Sequence, residues 1–267
     1  MTALLQTRAL TRRYAGLLAV DSVALEVQAG RVHAVIGPNG AGKTTLFNLI
    51  SGLVAPSEGA VLFRGRDLTL LPADRRTALG LARTFQTIRV FGAMTVLENV
   101  LTGLQPRRTA GLVATVLRTP QFRREERALV ARARETLELV GLSARAGARA
   151  GTLAFGEQRL LEIARAMSPG PALLLLDEPA AGMNPAETAG MATLVRRIGG
   201  LGTTVLLVEH DMGFVMDISD DVSVLNFGRL IFQGPPAAVR QAPEVMEAYL
   251  GSRLAARLAA RAQRGPA

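Results

Sequence analysis

Residues 37–44 read Gly-Pro-Asn-Gly-Ala-Gly-Lys-Thr, the spacing G-x-x-x-x-G-K-[ST]. These are the residue types that hold a polyphosphate. Gly37, Gly40 and Gly42 let backbone N–H groups approach phosphate oxygens, and a helix opening at Lys43 turns its positive end toward them. The Lys43 ammonium is a compact charge suited to β- and γ-phosphates, and the Thr44 hydroxyl is a hard oxygen suited to Mg²⁺. Lys43 is the only lysine among 31 basic residues. An arginine-biased composition has kept lysine at the one position where a planar guanidinium fits poorly.

Two further runs end in residues that could complete such a site. Four leucines, 173–176, lead into Asp177 and Glu178. An acidic strand end is common in itself, but at the carboxyl edge of a parallel sheet it faces the phosphate loop. There Asp177 can hold Mg²⁺, and Glu178 can orient or deprotonate an attacking water. A third apolar run, 204–208, ends in Glu209 and His210. A lone histidine is usually structural; a third strand delivering one to the same edge favours a γ-phosphate sensor. Gln86, in Arg83-Thr84-Phe85-Gln86, carries little information alone. Tyr14 could stack on a base or be a partly buried edge aromatic.

The elements that must position these residues follow from the hydrophobic patterns. Residues 32–36 form a short apolar run entering the glycine-rich segment, and Leu46, Leu49 and Ile50 mark one face of a helix that stops at Gly52. Segments 3–13 and 22–28 alternate as half-buried antiparallel strands do. Helical patterns at 157–168 and 186–199 separate the later runs, so strand and helix alternate and predict an α/β core with a largely parallel sheet. Between about 87 and 155 the strand pattern disappears, and 122–140 reads as a helix closed by Gly141. The tail from Gly251 spaces Arg253, Arg257 and Arg261 on one face of an Ala/Leu helix.

Composition bounds the rest. The chain has 267 residues, 49% hydrophobic and 20% charged, which suits a folded core. No cysteine is present, which excludes disulfides and thiolate metal sites. The start reaches Arg8 before a signal-length apolar stretch, so secretion is not expected. No apolar run approaches the roughly 18 residues of a membrane span. The net charge is +9, but residues 103–150 hold ten arginines and four acids, and 251–267 hold four arginines and no acid. The remainder is near neutral, and the basic insertion and tail suit a subunit docked beneath a membrane.

Together these residues resemble the ATP-binding-cassette ATPases over 3–250. In that family's order stand the phosphate loop GPNGAGKTT, Gln86 as the Q-loop, LLLLDEP as the Walker B motif, and His210 as the switch histidine. Residues 151–166 resemble the signature motif, with Gly156 and Glu157 expected to face ATP bound by the opposite subunit of a head-to-tail dimer. The resemblance implies an α/β nucleotide-binding domain over 1–250, with a mostly parallel P-loop sheet, an antiparallel N-terminal β subdomain and a helical subdomain. Its core is expected at 1–86 and 156–250, with the helical insertion at 87–155 and a basic tail at 251–267. It implies ATP on Tyr14, Gly37, Pro38, Asn39, Gly40, Ala41, Gly42, Lys43, Thr44 and Thr45. Thr44, Gln86 and Asp177 would hold Mg²⁺, with Glu178, His210, Lys43 and Gln86 serving hydrolysis. Two departures stand out: Leu-Ala-Phe-Gly-Glu at 153–157 lacks the usual signature serine, and Asn184 stands where aspartate is usual. They point toward a related but different partner ATPase.

Several segments, among them RTFQTIRVFGAMTVLENV, DEPAAGMNP and VEHDMGFVMDISD, resemble the ATP-binding subunit of bacterial branched-chain amino acid importers. That likeness implies a second ATPase subunit, two membrane permeases, an indirectly engaged periplasmic binding protein, and a peripheral position on the cytoplasmic face of the inner membrane. Phe91 and Met94 would help pass movement to a permease. Importers of urea, short amides or aromatic acids are the alternatives within that class. A soluble cassette acting on nucleic acid or ribosomes fits less well: aromatics are 4%, tryptophan is absent and no long coiled-coil insertion is present, so no nucleic-acid partner is expected. With one lysine, in the phosphate loop, no Asn-Lys-x-Asp guanine-reading motif exists.

Overall fold

A computed structural model describes residues 3–104 and 120–250, apart from the side chain of Leu250. The arginine-spaced tail and the stretch 105–119 lie outside the described residues. The chain opens with β1 (Ala3–Tyr14), β2 (Leu17–Val23) and β3 (Glu26–Gln28), then β4 (Val32–Ile36), the phosphate loop and α1 (Lys43–Ser51). Next come β5 (Glu58–Phe63), β6 (Arg66–Asp67), α2 (Ala73–Ala78) and β7 (Leu81–Arg83). The stretch 87–155 contains α3 (Val96–Gly103) and α4 (Pro120–Leu139), and α5 (Phe155–Met167) follows it. The chain continues through β8 (Leu173–Asp177), α6 (Pro185–Gly200), β9 (Thr204–Val208) and α7 (Met212–Ile218). It closes with β10 (Asp221–Asn226), β11 (Arg229–Gly234), α8 (Pro236–Val239) and α9 (Pro243–Leu250).

Two sheets organise these elements. A six-stranded sheet runs β11-β10-β4-β9-β8-β7, parallel throughout except for the β10–β11 hairpin. A five-stranded antiparallel sheet runs β2-β1-β5-β6, with β3 also pairing β1. The alternating N-terminal stretches thus become three strands, with a turn at 15–16 and a break at 24–25. β7, β10 and β11 extend the parallel sheet beyond the three runs visible in sequence. Each is short or flanked by polar residues, and each finds its place through a partner strand rather than through its own pattern.

β4, β8 and β9 are buried along their whole length. Their side chains alternate between two cores: Ile36, Leu174, Leu176 and Leu207 face one, while Val35, Leu173, Leu175 and Leu206 face the other. The second core also takes Leu46, Phe47 and Ile50 of α1 and the inner face of the antiparallel sheet. α1 is therefore held between the two sheets. The first core takes apolar residues from α3 to α7. Strands buried on both faces carry apolar residues at every position, and this is why these runs lack polar alternation.

A buried arginine fixes the far end of α1. Arg76 in α2 donates from Nη1 to the carbonyls of Leu49 and Ile50, both at 2.7 Å, and from Nε to Leu71 O at 2.8 Å. Carbonyls at a helix C-terminus have no intrahelical donors, so a cation there is favourable by both hydrogen bonding and the helix dipole. Burial lowers the Arg76 pKa to about 10.

The sheet also encloses a histidine. His33 on β4 is buried, and its Nε2 shares a 2.8 Å hydrogen bond with Ser223 Oγ on β10. Desolvation lowers its pKa from 6.5 to about 4, against a smaller opposing effect of Asp221. Between those values the unfolded chain takes up a proton at this position and the folded chain does not, so stability falls as pH falls. His33 is expected to remove about 3 kcal/mol of folding free energy between pH 6.5 and pH 4. Chemical denaturation across that range should show a steeper acid loss in the wild type than in His33→Asn.

Candidate functional site

Strand register brings the chemical groups together. β4 pairs with β9 so that Val35 lies opposite Val208, and β9 pairs with β8 so that Val208 lies opposite Asp177. Residues 37, 178 and 209 therefore leave the sheet side by side at one carboxyl edge. The Glu178 N–H still donates to Val208 O at 2.9 Å, extending the pairing by one residue.

The phosphate loop leaves β4 and returns as α1. Gly37 has φ +150° and Gly42 has φ +99°; a Cβ at Gly37 would collide with Leu225 O, and one at Gly42 with Ala19 O. Glycine is thus required at both positions by close backbone approach. Lys43 Nζ donates to Gly37 O at 2.7 Å and Pro38 O at 2.9 Å, holding the ammonium over its own loop. Burial lowers the Lys43 pKa, and the nearby Glu178 carboxylate partly offsets this. A cavity of about 430 Å³ opens beside the loop. Asn39, Gly40, Ala41, Gly42, Lys43, Thr44 and Thr45 line it together with Glu178 and His210.

Glu178 is engaged on both oxygens. Its Oε1 lies 2.7 Å from His210 Nε2, and its Oε2 accepts from Gln86 Nε2 at 3.1 Å. Its φ of +49° is unusual for a glutamate and directs the side chain out of the strand line at the cavity. Asp177, one residue earlier, is buried and faces Arg83 on β7. Arg83 Nη2 meets Asp177 Oδ2 at 2.9 Å, and Nη1 donates to Asn48 Oδ1 and Ser51 Oγ, both at 2.8 Å. One guanidinium thus ties the acidic strand end to α1. Burial lowers the Arg83 pKa, and the bonded Asp177 opposes that shift.

Tyr14 does not line this cavity. Its ring lies against Arg12, whose guanidinium carbon is 4.6 Å from the ring centroid. Leu17, Leu18 and Phe227 form the apolar side of the cavity instead. Phe227 is 85% exposed, with φ +45°, at the β10–β11 turn, and the adjacent Gly228 N–H donates to Ala41 O at 3.0 Å. Gly156 and Glu157 also lie elsewhere in the chain, lining a separate cavity of about 410 Å³ with Met183 and Glu187. Glu157 Oε2 accepts from Ala154 N at 3.1 Å, and Oε1 meets Arg145 Nε at 3.2 Å.

Arg83, Glu209 and Phe227 were not singled out by the sequence. A charged residue in the apolar stretch Leu-Ala-Arg-Thr-Phe was the available signal for Arg83. Glu209 is buried; its Oε1 accepts from Ala180 N at 2.8 Å and its Oε2 from His210 N at 2.9 Å. Asn184 Oδ1 accepts from Ala186 N and Glu187 N, both at 3.0 Å, and Glu187 Oε2 accepts from Asn184 N, so Asn184 forms a complete N-cap of α6.

The ABC transporter family profile matches residues 20–181. The chain is 45% identical over 249 residues to the high-affinity branched-chain amino acid transport ATP-binding protein LivG of Salmonella typhimurium, covering 93% of this chain and 98% of that one. It is 44% identical over 249 residues to BraF, of the same description, from Pseudomonas aeruginosa, with the same coverage. Among solved structures it resembles a nucleotide-free ATP-binding cassette from an ABC transporter, with TM-score 0.80, 31% identity, and coverage of 93% and 99%. It also resembles an ABC transporter cassette in its ADP conformation, with TM-score 0.81, 30% identity, and coverage of 94% and 100%. The phosphate loop, the paired acids and the histidine meet at one sheet edge of a chain that matches these proteins nearly end to end; it belongs to the ABC transporter family, as one of its ATP-binding cassette ATPases.

Proposed function

We propose that this chain is the ATP-hydrolysing motor of a bacterial importer for branched-chain amino acids. The observation that carries the chemistry is the Gln86–Glu178–His210 arrangement facing Lys43 across one cavity. Near-complete alignment with LivG and BraF supports the cargo class. In this reading the subunit sits on the cytoplasmic face of the membrane beneath two permeases, paired with a second ATPase subunit and served indirectly by a periplasmic binding protein. No helix among the described residues is long and apolar enough to cross a membrane, so membrane attachment is assigned to the permeases.

The backbone of 37–45 and the N-terminus of α1 bind the phosphates, and Lys43 exchanges its two carbonyl partners for phosphate oxygens. Thr44, Asp177 and the free amide oxygen of Gln86 offer hydroxyl, carboxylate and carbonyl donors, a set that fits Mg²⁺. Among the described residues no cluster of three or more His, Cys, Asp or Glu could hold a metal alone. An Mg²⁺ ion held by these few groups would complete its shell with phosphate and water. When bound, Mg²⁺ neutralises charge on the phosphoryl oxygens. Glu178 accepts the proton of the attacking water, while His210 and Gln86 fix its two oxygens in position. Gly156 and Glu157 are assigned to the nucleotide of the opposing subunit by the resemblance of residues 151–166 to the signature motif; within one chain they line a different cavity.

Glu178→Gln is expected to lower turnover about 100- to 10,000-fold, the range for a positioned general base, while leaving ATP affinity nearly unchanged. Near-normal turnover would overturn the assignment. Reconstituted with its permeases and binding protein, the wild type should hydrolyse ATP faster when leucine, isoleucine or valine is supplied; no stimulation would remove the cargo assignment.

Arg83→Met leaves the buried Asp177 carboxylate without its partner and is expected to cost about 3–5 kcal/mol of folding stability. Arg83→Lys keeps a charge without the planar fork, so its loss should be smaller. Urea melts of both variants check the order.

A further inference from the structure

Glu209 is buried at the carboxyl end of β9, between the two loops that carry Glu178 and His210. It has no cation partner among its hydrogen bonds. Oε1 accepts the N–H of Ala180, two residues beyond Glu178, at 2.8 Å; Oε2 accepts the N–H of His210 at 2.9 Å. Between these bonds the Glu178 N–H is paired to Val208 O, and the Ala181 N–H returns to Glu178 O at 3.2 Å. The turn after β8 and the turn after β9 are thereby fastened to each other through one carboxylate. The 2.7 Å contact of His210 with Glu178 spans the same two turns on the cavity side.

We propose that Glu209 is a positioning residue that sets the Glu178–His210 geometry by clamping both turns from behind. The role requires a carboxylate. Backbone donors converge on both of its oxygens, Ala180 N–H on Oε1 and His210 N–H on Oε2, and only a group with acceptors at both ends satisfies both. Glutamine has the same shape but turns an N–H₂ toward one of the two N–H groups, so one clamp bond is lost in either orientation. Burying the carboxylate has a cost, seen in a pKa raised by desolvation and by Glu178, against which the N–H groups of Ala180, His210 and Asp211 work.

The inference rests on Glu178 and His210 serving hydrolysis, and the test separates the two. In the assembled transporter, Glu209→Gln, His210→Ala, Glu178→Gln and the Glu209→Gln/His210→Ala double variant are compared for turnover and ATP affinity. Glu209→Gln should lower turnover about 10- to 100-fold, the scale of a small misplacement of a catalytic group, with ATP affinity and thermal midpoint close to wild type. In the His210→Ala background the same change should have less than about a twofold further effect, because residues acting as one unit are not additive. Full turnover in Glu209→Gln, or equal losses in both backgrounds, would overturn the clamp while Glu178→Gln still reports on the hydrolytic assignment. A readout independent of turnover is available because the chain has two histidines and the other, His33, is buried in the sheet. In histidine-selective NMR of the isolated full chain, Glu209→Gln should move the His210 ring signals toward those of Glu178→Gln and leave His33 in place. Unmoved His210 signals would refute the proposal, and this arm holds even if Glu209→Gln prevents assembly.

Discussion

The parallel register of β4, β9 and β8 is the constraint on which the site depends. Val35, Val208 and Asp177 are aligned by backbone hydrogen bonds, and a parallel sheet releases its strands at one edge without local help. The phosphate loop, the acidic pair and the histidine have no contact with one another until that register is set. A slip of one residue in β9 would turn its side chains to the opposite core and carry His210 away from Glu178. The continuous apolar character of the three strands is what prevents the slip, because each alternate residue already has a place in one of two cores.

Around that edge, buried charge fixes loops that apolar contacts cannot fix. Arg83 ties Asp177 to α1, Arg76 closes the end of α1, and Glu209 joins the two loops after β8 and β9. Arg159 in α5 adds a fourth case. It donates to Phe85 O at 2.8 Å and Gln86 O at 3.1 Å, while its partner Glu162 accepts from Phe85 N at 3.4 Å. α5 therefore holds the backbone of the glutamine that reaches Glu178. The position of α5 and the placement of Gln86 are linked through these bonds, and buried ion pairs of this kind are costly to break. A polar fastening of this sort specifies a loop's position where hydrophobic contact would specify only its burial.

The legibility of the sequence follows the range of the interactions. The phosphate loop could be read from residues 37–44 because its glycines answer to local backbone approach, and Asp177 and Glu178 because four leucines define a strand end. The helix expected at 122–140 appears as Pro120–Leu139, since its pattern is long enough to stand alone. The roles of Arg83, Glu209 and Phe227 could not be read, even where a charge in an apolar stretch marked Arg83, because each acquires its role from a strand or loop distant in sequence. Arg83 is defined by Asp177 across β7 and β8, and Glu209 by a turn some thirty residues away in the chain. Tyr14 was legible only by its type: Arg12 two residues earlier lies over one face of its ring, and the residue does not line the phosphate cavity of the single chain. Most of β2 lies outside the two alternating stretches, 3–13 and 22–28, because Leu17-Leu18-Ala19-Val20 is a continuous apolar run, and it becomes a strand by pairing with β1.

The two departures from the usual family motifs differ physically. Asn184 caps α6 through the same two N–H groups that an aspartate oxygen would take, and Glu187 completes the reciprocal bond. Its replacement removes a charge and preserves the geometry. Ala154 has the extended backbone of an N-cap, φ −62° and ψ 159°, but no side-chain oxygen. Only the Glu157 half of its cap is formed, and the helix end gives up one bond that serine would supply. Arg145 on Glu157 holds that carboxylate in place and keeps the remaining half ordered. The signature end of α5 is thus organised from the Glu157 side, with backbone N–H groups of its first turn left without a side-chain acceptor. Free N–H groups at a helix N-terminus bind anions. Alanine in place of serine at 154 therefore removes one hydroxyl from the proposed nucleotide-facing end of α5 while leaving the backbone donors of its first turn unblocked.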